Sequence, residues 1–164
     1  MFRLIKNGQL VSNEWTVLHL AEGDTAQSVK LPVGSVLVPL SVWETRRREL
    51  IHREYEHGWA LGVWLAASEN PQALENNIDD FSLIAIEFDK SGGSGYLAPR
   101  LLHDHYGYKG ELRAMGDVPQ DSLSYLQQIG FDSIDIQVPR QAETAFFRLL
   151  EFNRVAAEVR LLAA

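Results

Sequence analysis

Apolar and polar positions alternate along this chain in two recurring patterns. Short, nearly continuous apolar runs are typical of strands buried on both faces, and they fall at residues 34–40, 60–67, 82–88, 110–116 and 132–138. Between and after them, apolar residues recur at helical spacing over residues 41–58, 70–81, 95–107, 117–130 and 139–162. The last of these segments predicts a long amphipathic C-terminal helix. Each strand is therefore predicted to be followed by a helix.

The N-terminal segment has a different pattern. Residues 1–20 alternate about Asn7-Gly8, and Asn-Gly between alternating apolar positions favours a tight two-residue turn with positive φ at both residues. We expect an N-terminal β-hairpin here.

These elements predict one α/β domain over residues 1–164. About five strand–helix units imply a mostly parallel sheet with right-handed crossovers. A complete eight-fold barrel needs about 200–250 residues, so the alternatives are an open doubly wound sheet or a partial barrel, the latter completed by a partner. The apolar C-terminal helix leaves a homodimer open.

Composition narrows the function. The chain has 15 basic and 22 acidic residues, a net charge of −7, which disfavours nucleic-acid binding. It has no cysteine, which removes disulfides, thiolate nucleophiles and cysteine-ligated clusters. Neither a signal peptide nor a run of about 18 apolar residues is present, so we expect a cytoplasmic protein that does not enter a membrane.

Candidate chemistry is expected at the carboxyl ends of the parallel strands, where α/β proteins bind ligands. Four charged residues lie at or near the predicted strand ends: Glu87, Arg113, Asp117 and Asp121. In this hypothesis Arg113 holds an anionic group, while Asp117 acts as acid, base or hydrogen-bond orienter.

A glycine-rich loop after the strand at 82–88 has two readings. Backbone N–H groups of Ser91, Gly92, Gly93, Ser94 and Gly95, at the start of a helix, can cradle an anion, with Arg100 close by in sequence. The loop matches neither G-x-G-x-x-G nor the P-loop pattern, and two acids precede it. A plain strand-to-helix turn is the favoured reading.

Other pairs of polar residues are weaker candidates. Glu87 and Asp89 share a strand face and can hold Mg²⁺ or exchange protons, although a solvated strand end is the favoured interpretation. His103 and His105 are two apart, so they do not face each other on a helix. We predict no metal site, and no particular cofactor.

The segment "YGYKGELRAMGDVPQDSLSYLQQIGFDSIDI", residues 106–136, carries a family resemblance. With "LIAIEF" and the upstream "LGVWLAASENPQAL", it resembles the bacterial family of domain of unknown function 934, often labelled an oxidoreductase of sulfite reduction. The resemblance implies an accessory protein of assimilatory sulfite reduction that acts through protein contacts, with the sulfite reductase haemoprotein as partner. The label also implies flavin or nicotinamide chemistry, for which the sequence has no dinucleotide fingerprint.

The glycine-rich loop departs from the family pattern. The family has an arginine where this chain has Ser94, and a serine where it has Leu97. If that arginine grips an anion, this chain has lost a main charge for doing so. Arg113 and Asp117 match the family pattern.

Overall fold

A computed structural model describes residues 3–91, 94–136 and 148–149. Within them, eight strands form one sheet: β1 (Arg3–Lys6), β2 (Gln9–Ser12), β3 (Thr16–Val17), β4 (Val36–Pro39), β5 (Leu61–Leu65), β6 (Leu83–Phe88), β7 (Glu111–Gly116) and β8 (Ser133–Ile136). The helices are α1 (Leu40–His57), α2 (Leu123–Ile129), 3-10 helices at Pro71–Asp80, Ser94–Leu97 and Gln120–Ser122, and a π-helix at Arg100–His105.

The strand order decides between the two predicted architectures. The order is β2-β1-β8-β7-β6-β5-β4-β3, and β3 through β8 are parallel neighbours in chain order. A doubly wound sheet reverses its strand order at a switch point, and this sheet does not, so that alternative is wrong. The protein is a mostly parallel α/β half-barrel with an antiparallel pair at one edge.

The N-terminal segment supplies both edges of this sheet. β1 and β2 pair antiparallel around Asn7 and Gly8, whose φ angles are 51° and 74°. Thr16 and Val17, which the sequence analysis placed within the N-terminal hairpin, instead form the short strand β3 parallel to β4. The reason is that β3 is only two residues long, too short to show a periodicity of its own.

The short connection between the two edges forces the sheet to curl. A flat sheet of eight strands would be about 34 Å wide at the usual strand spacing. Ser12 ends one edge strand and Thr16 begins the other, and four residue steps span at most about 14 Å. The two edges therefore approach each other, and the sheet acquires a concave face inside the curl.

The helices cover the convex face. Val42, Trp43 and Leu50 of α1 pack in the same buried cluster as Val36 and Val38 of β4. Helices on one side only are expected when every crossover advances in the same direction along the sheet. The concave face therefore has no helical layer over it among the described residues.

Two helix predictions need comment. The segment predicted as one helix over 95–107 is a 3-10 turn followed by the π-helix, and the chain then reverses at Gly107, φ 69°. The predicted helix over 139–162 lies outside the described residues, except that Arg148 and Leu149 are helical and Leu149 is buried in the core. None of the helices in the described part of the chain is both long and apolar enough to cross a membrane.

Candidate functional site

The buried polar side chains of the described strands, Arg113 and Ser133, both lie on the concave face. Because side chains alternate along a strand, the pairing register places the following residues on this one face: Val17, Leu37, Trp64, Glu87, Glu111, Arg113, Met115, Ser133, Asp135 and Lys6. The face is apolar toward β3 and β4 and charged toward β7, β8 and β1. The candidate site lies where these two parts meet.

Glu111 is the centre of a hydrogen-bonded cluster at the charged side. It accepts hydrogen bonds from Lys6 Nζ at 2.8 Å, Arg113 Nη2 at 2.8 Å and Ser133 Oγ at 2.6 Å. Arg113 Nε also donates to Ser133 Oγ at 3.0 Å. The guanidinium is only 2% exposed, so it belongs to a desolvated ion pair rather than to a surface one.

The acidity of Glu111 reflects this cluster. Burial alone would raise the pKa of Glu111, but hydrogen bonds from Lys6, Ser133 and Arg113 outweigh it and hold the pKa below its usual range. Glu111 therefore stays ionised as the counter-charge that the buried Arg113 requires.

Residues 13–15 join the two edge strands and cross this face; we call them the crossing segment. A side chain of this segment is hydrogen-bonded to the Glu111 cluster. Asn13 Oδ1 accepts from Arg113 Nη1 at 3.3 Å and from the backbone N–H of Trp15 at 3.0 Å. One amide oxygen thus ties the crossing segment to β7 and shapes the turn that leads into β3. Trp15 is positioned as a consequence.

A pocket of about 530 Å³ opens beside this crossing segment. One wall comes from edge strand β3 and the residues on either side of it, and the other comes from the interior strands β7 and β8. The lining residues are Asn13, Trp15, Thr16, Val17, His19, Met115 and Asp135. The volume is in the range of small-molecule sites, about 300–1,000 Å³. The pocket exists only because the curl brings β3 opposite β7 and β8.

Asp135 is the one carboxylate in this lining. Its Oδ1 is buried and has no hydrogen-bond partner among the described residues. Burial raises the pKa of Asp135, and the nearby charge of Arg113 opposes that rise without overcoming it. An unpaired buried oxygen costs free energy, so a hydrogen-bond donor that reached Asp135 Oδ1 would be stabilising.

His19 lies on the pocket wall opposite Asp135 and is held there by contacts with Trp64. Its ring lies 5.4 Å from the ring of Trp64, at an interplanar angle of 50°. Trp64 in turn donates from Nε1 to the backbone oxygen of Leu18 at 3.0 Å. The β3 wall of the pocket is thereby fixed to β5.

The four predicted catalytic residues lie in different environments. Arg113 is buried in the Glu111 cluster, in the middle of β7 rather than at its carboxyl end. Glu87 lies half-buried on the concave face, in register with Met115 of the pocket. Asp117 is exposed and its backbone N–H donates to Phe88 O at 2.9 Å, while Asp121 is exposed and pairs with Arg148 at 3.0 Å. Arg113 and Asp117, the two preferred residues, thus differ in burial and in partners.

The glycine-rich loop is described only in part. Gly92 and Gly93 lie outside the described residues, as does the side chain of Ser94. The backbone N–H and the hydroxyl of Ser91 both donate to Asp89 Oδ1, which is a local turn contact. Gly95 is buried, and a Cβ there would lie 2.8 Å from the ring of Phe88, so close packing requires this glycine. Arg100 is exposed on the π-helix.

The histidine pair has a structural arrangement. His103 is half-buried and its two ring nitrogens lie 3.1 Å from the backbone oxygens of Tyr108 and Gly130. Over the part of the chain that the structure describes, no three His, Asp or Glu side chains are grouped so as to hold a metal ion.

The sequence analysis missed Asn13, Trp15, His19 and Asp135. One signal was available for Asp135, because "SIDI" places a carboxylate inside a run predicted to be a buried strand. The three N-terminal residues gave none, since only the curl of the sheet brings them opposite β8.

Comparison with known proteins agrees with the resemblance. No curated protein and no solved structure matches this chain significantly. The profile of a bacterial family described as a protein of unknown function (DUF934) matches residues 62–157, more than half of the chain. The chain therefore belongs to the DUF934 family of bacterial proteins.

Proposed function

We propose that this protein binds a small organic molecule in the concave-face pocket, the cavity between the crossing segment and β7–β8. The observation that carries the proposal is a cavity of about 530 Å³ whose lining includes Asp135, a carboxylate with a buried Oδ1 that has no partner among the described residues. Buried polar atoms in native proteins nearly always have partners, and a donor in the cavity would supply one after a small rotation of this side chain. Met115 and Asp135 each lie one residue before the carboxyl end of a parallel strand, the end at which α/β barrels bind ligands.

The walls of the pocket are built to keep their shape without a ligand. Asn13 fixes the crossing segment to Arg113, and Trp64 fixes the segment that carries His19. A preformed site loses little conformational entropy when a ligand enters, which favours affinity. Binding is therefore the activity that these contacts support directly.

A pocket-filling variant tests the proposal. Val17 is half-buried, lies on the concave face and lines the pocket, so Val17→Trp places an indole in the cavity. Val33→Trp, at a position 80% exposed, is the matched control. In a thermal-shift screen of small molecules, we expect compounds that raise the Tm of the wild type and of Val33→Trp but not of Val17→Trp. If Val17→Trp responds as the wild type does, the pocket is not the binding site.

A second candidate function is contact with a protein partner, for which the resemblance points to the sulfite reductase haemoprotein. It is favoured by the surface around Leu97, which is 69% exposed although apolar. Leu97 and Leu101 line two adjoining pockets of about 470 and 450 Å³, which are bordered by polar and charged residues such as Glu69, Arg100 and Asp104. Exposed apolar surface with a polar rim marks interaction sites.

Co-purification tests this second candidate. We expect the haemoprotein to be retained by the wild type and by the control Val33→Asp, and to be lost with Leu97→Asp. Equal retention by all three would remove the Leu97 surface from the interaction, and no retention at all would remove the partner. Flavin or nicotinamide chemistry, implied by the family label, stays a prediction that the absorbance spectrum of the purified protein can test.

A further inference from the structure

The lining of the concave-face pocket also indicates the class of molecule that fits it. We propose that it takes an uncharged, planar nitrogen heterocycle that donates an N–H hydrogen bond to Asp135 and lies between Trp15 and His19. This inference rests on the proposed ligand-binding function and specifies its ligand.

The first argument is charge balance. Lys6 and Arg113 are the cations that β1 and β7 place on the concave face, and Glu111 and Asp135 are the carboxylates that β7 and β8 place there. These two pairs of charges balance without a ligand, and Glu87 of β6, half-buried beside Met115, adds a further negative charge. An uncharged ligand leaves this arrangement unchanged, whereas an anion adds an uncompensated charge to a partly desolvated cavity.

The second argument excludes an anion as the preferred ligand. Arg113 is 2% exposed and its donors already bond to Glu111, Ser133 and Asn13. The charged side chain of the lining is Asp135, which repels sulfite, phosphate and carboxylate groups when it is ionised. The anion-holding role predicted for Arg113 is therefore not available at this pocket.

The third argument is the shape and chemistry of the walls. Trp15 and His19 offer aromatic rings, and flat aromatic ligands gain stacking and edge-to-face contacts with such rings. Both residues are held in place: the backbone N–H of Trp15 donates to Asn13 Oδ1, and the ring of His19 contacts the ring of Trp64. A saturated amine of the same size would gain less from these walls.

Adenine is a suitable probe, since it is uncharged at neutral pH, planar and rich in N–H donors. Isothermal titration of the full chain would compare adenine with sodium sulfite and with benzylamine, an aromatic cation. We expect adenine to bind most tightly, and sulfite not to bind. Tighter binding of benzylamine or of sulfite would overturn the inference.

Two variants locate the interaction, each with a matched control. Asp135→Asn should weaken adenine binding about tenfold or more, because a hydrogen bond to a charged group is lost, whereas Asp79→Asn, at an exposed helix position, should not. Trp15→Leu should weaken it by several-fold, whereas Trp59→Leu, outside the lining, should not. Equal affinity of Asp135→Asn and wild type would overturn the inference.

The outcomes separate the inference from the proposed function. If other small molecules raise the Tm in a way that Val17→Trp abolishes while adenine and related heterocycles do not bind, the pocket is a site but the ligand class is wrong. If no compound of any class binds to the wild type, the proposed function itself fails.

Discussion

The sharpest prediction concerns Glu111, the counter-charge of a buried arginine. Glu111→Gln keeps the size of the side chain and one acceptor oxygen but removes the charge that faces Arg113, itself 2% exposed. Breaking a buried ion pair from one side costs about 3–5 kcal/mol, since the remaining charge stays desolvated. We expect about 3 kcal/mol here, because the amide oxygen still accepts one hydrogen bond.

This loss is large compared with the usual stability of a domain, about 5–15 kcal/mol. For a chain of this size it corresponds to a fall in Tm of roughly 6–12 °C. Urea denaturation followed by circular dichroism would give the change in free energy of unfolding, and calorimetry would give the change in Tm. Asp121→Asn, which breaks the exposed pair with Arg148, is the matched control and should cost no more than about 1 kcal/mol.

The pH dependence checks the cause. The pKa of Glu111 is lowered in the folded state, so its contribution is present above the unfolded value of about 4.3 and is lost as the pH falls through the folded value. The difference between Glu111→Gln and wild type should therefore shrink below about pH 4. A cost under about 1 kcal/mol at neutral pH, equal to that of Asp121→Asn, would refute the desolvated pair.

Three further predictions follow from the same contacts. Asn13→Ala should lower the free energy of unfolding by about 1–3 kcal/mol in urea denaturation, because Arg113 and the backbone N–H of Trp15 both lose their acceptor. An unchanged free energy would contradict the role of Asn13 in fixing the crossing segment to β7. Gly116→Ala should cost about 1–3 kcal/mol by the same assay, since φ is 82° and a Cβ would lie 2.6 Å from Phe88 O; Gly23→Ala, with φ 87° but open space, isolates the clash. Burial raises the pKa of Asp135 in the folded state, so folding favours its neutral form. The contribution of Asp135 to stability is therefore fully present below the unfolded pKa of about 3.9, and it is lost as the pH rises through the folded pKa. Asp135→Asn should therefore be at least as stable as wild type at pH 7, and a clear loss of Tm there would contradict it.

Most of the sheet could be predicted from the sequence because its strands are buried on both faces. The runs at 34–40, 60–67, 82–88, 110–116 and 132–138 each contain one parallel strand. The order of the strands in the sheet could not be predicted in this way, because the periodicity within one strand does not show which strands lie beside it. The evidence for the half-barrel was instead the short spacing between Ser12 and Thr16, which becomes informative only once both are known to lie in edge strands.

The site could be predicted only in part, for a related reason. Arg113 was chosen as a site residue because it lies near a predicted strand end, and the structure places it buried in the middle of β7, where a charge needs a partner. Its partner Glu111 lies two residues away on the same strand face, and that i, i+2 spacing was visible in "GELRAMG". The predicted anion role overlooked this nearby carboxylate. Asn13 and Ser133 could not be predicted, since 100 and 20 residues separate them from Arg113.

The segment that carries the family resemblance, residues 106–136, contains several residues that stabilise the interior of the fold. Glu111 and Arg113 form the buried cluster, and Gly116 lets β7 end against Phe88. The matched range, residues 62–157, includes the Met115 and Asp135 walls of the pocket but not the wall from Asn13 to His19. The matched range therefore includes β6 to β8 and the carboxylate, while the connection that curls the sheet and the rings of the proposed binding site lie outside it. Exchange of residues 13–19 should for that reason change which molecule binds, and leave the Glu111–Arg113 pair intact except for the Asn13 contact.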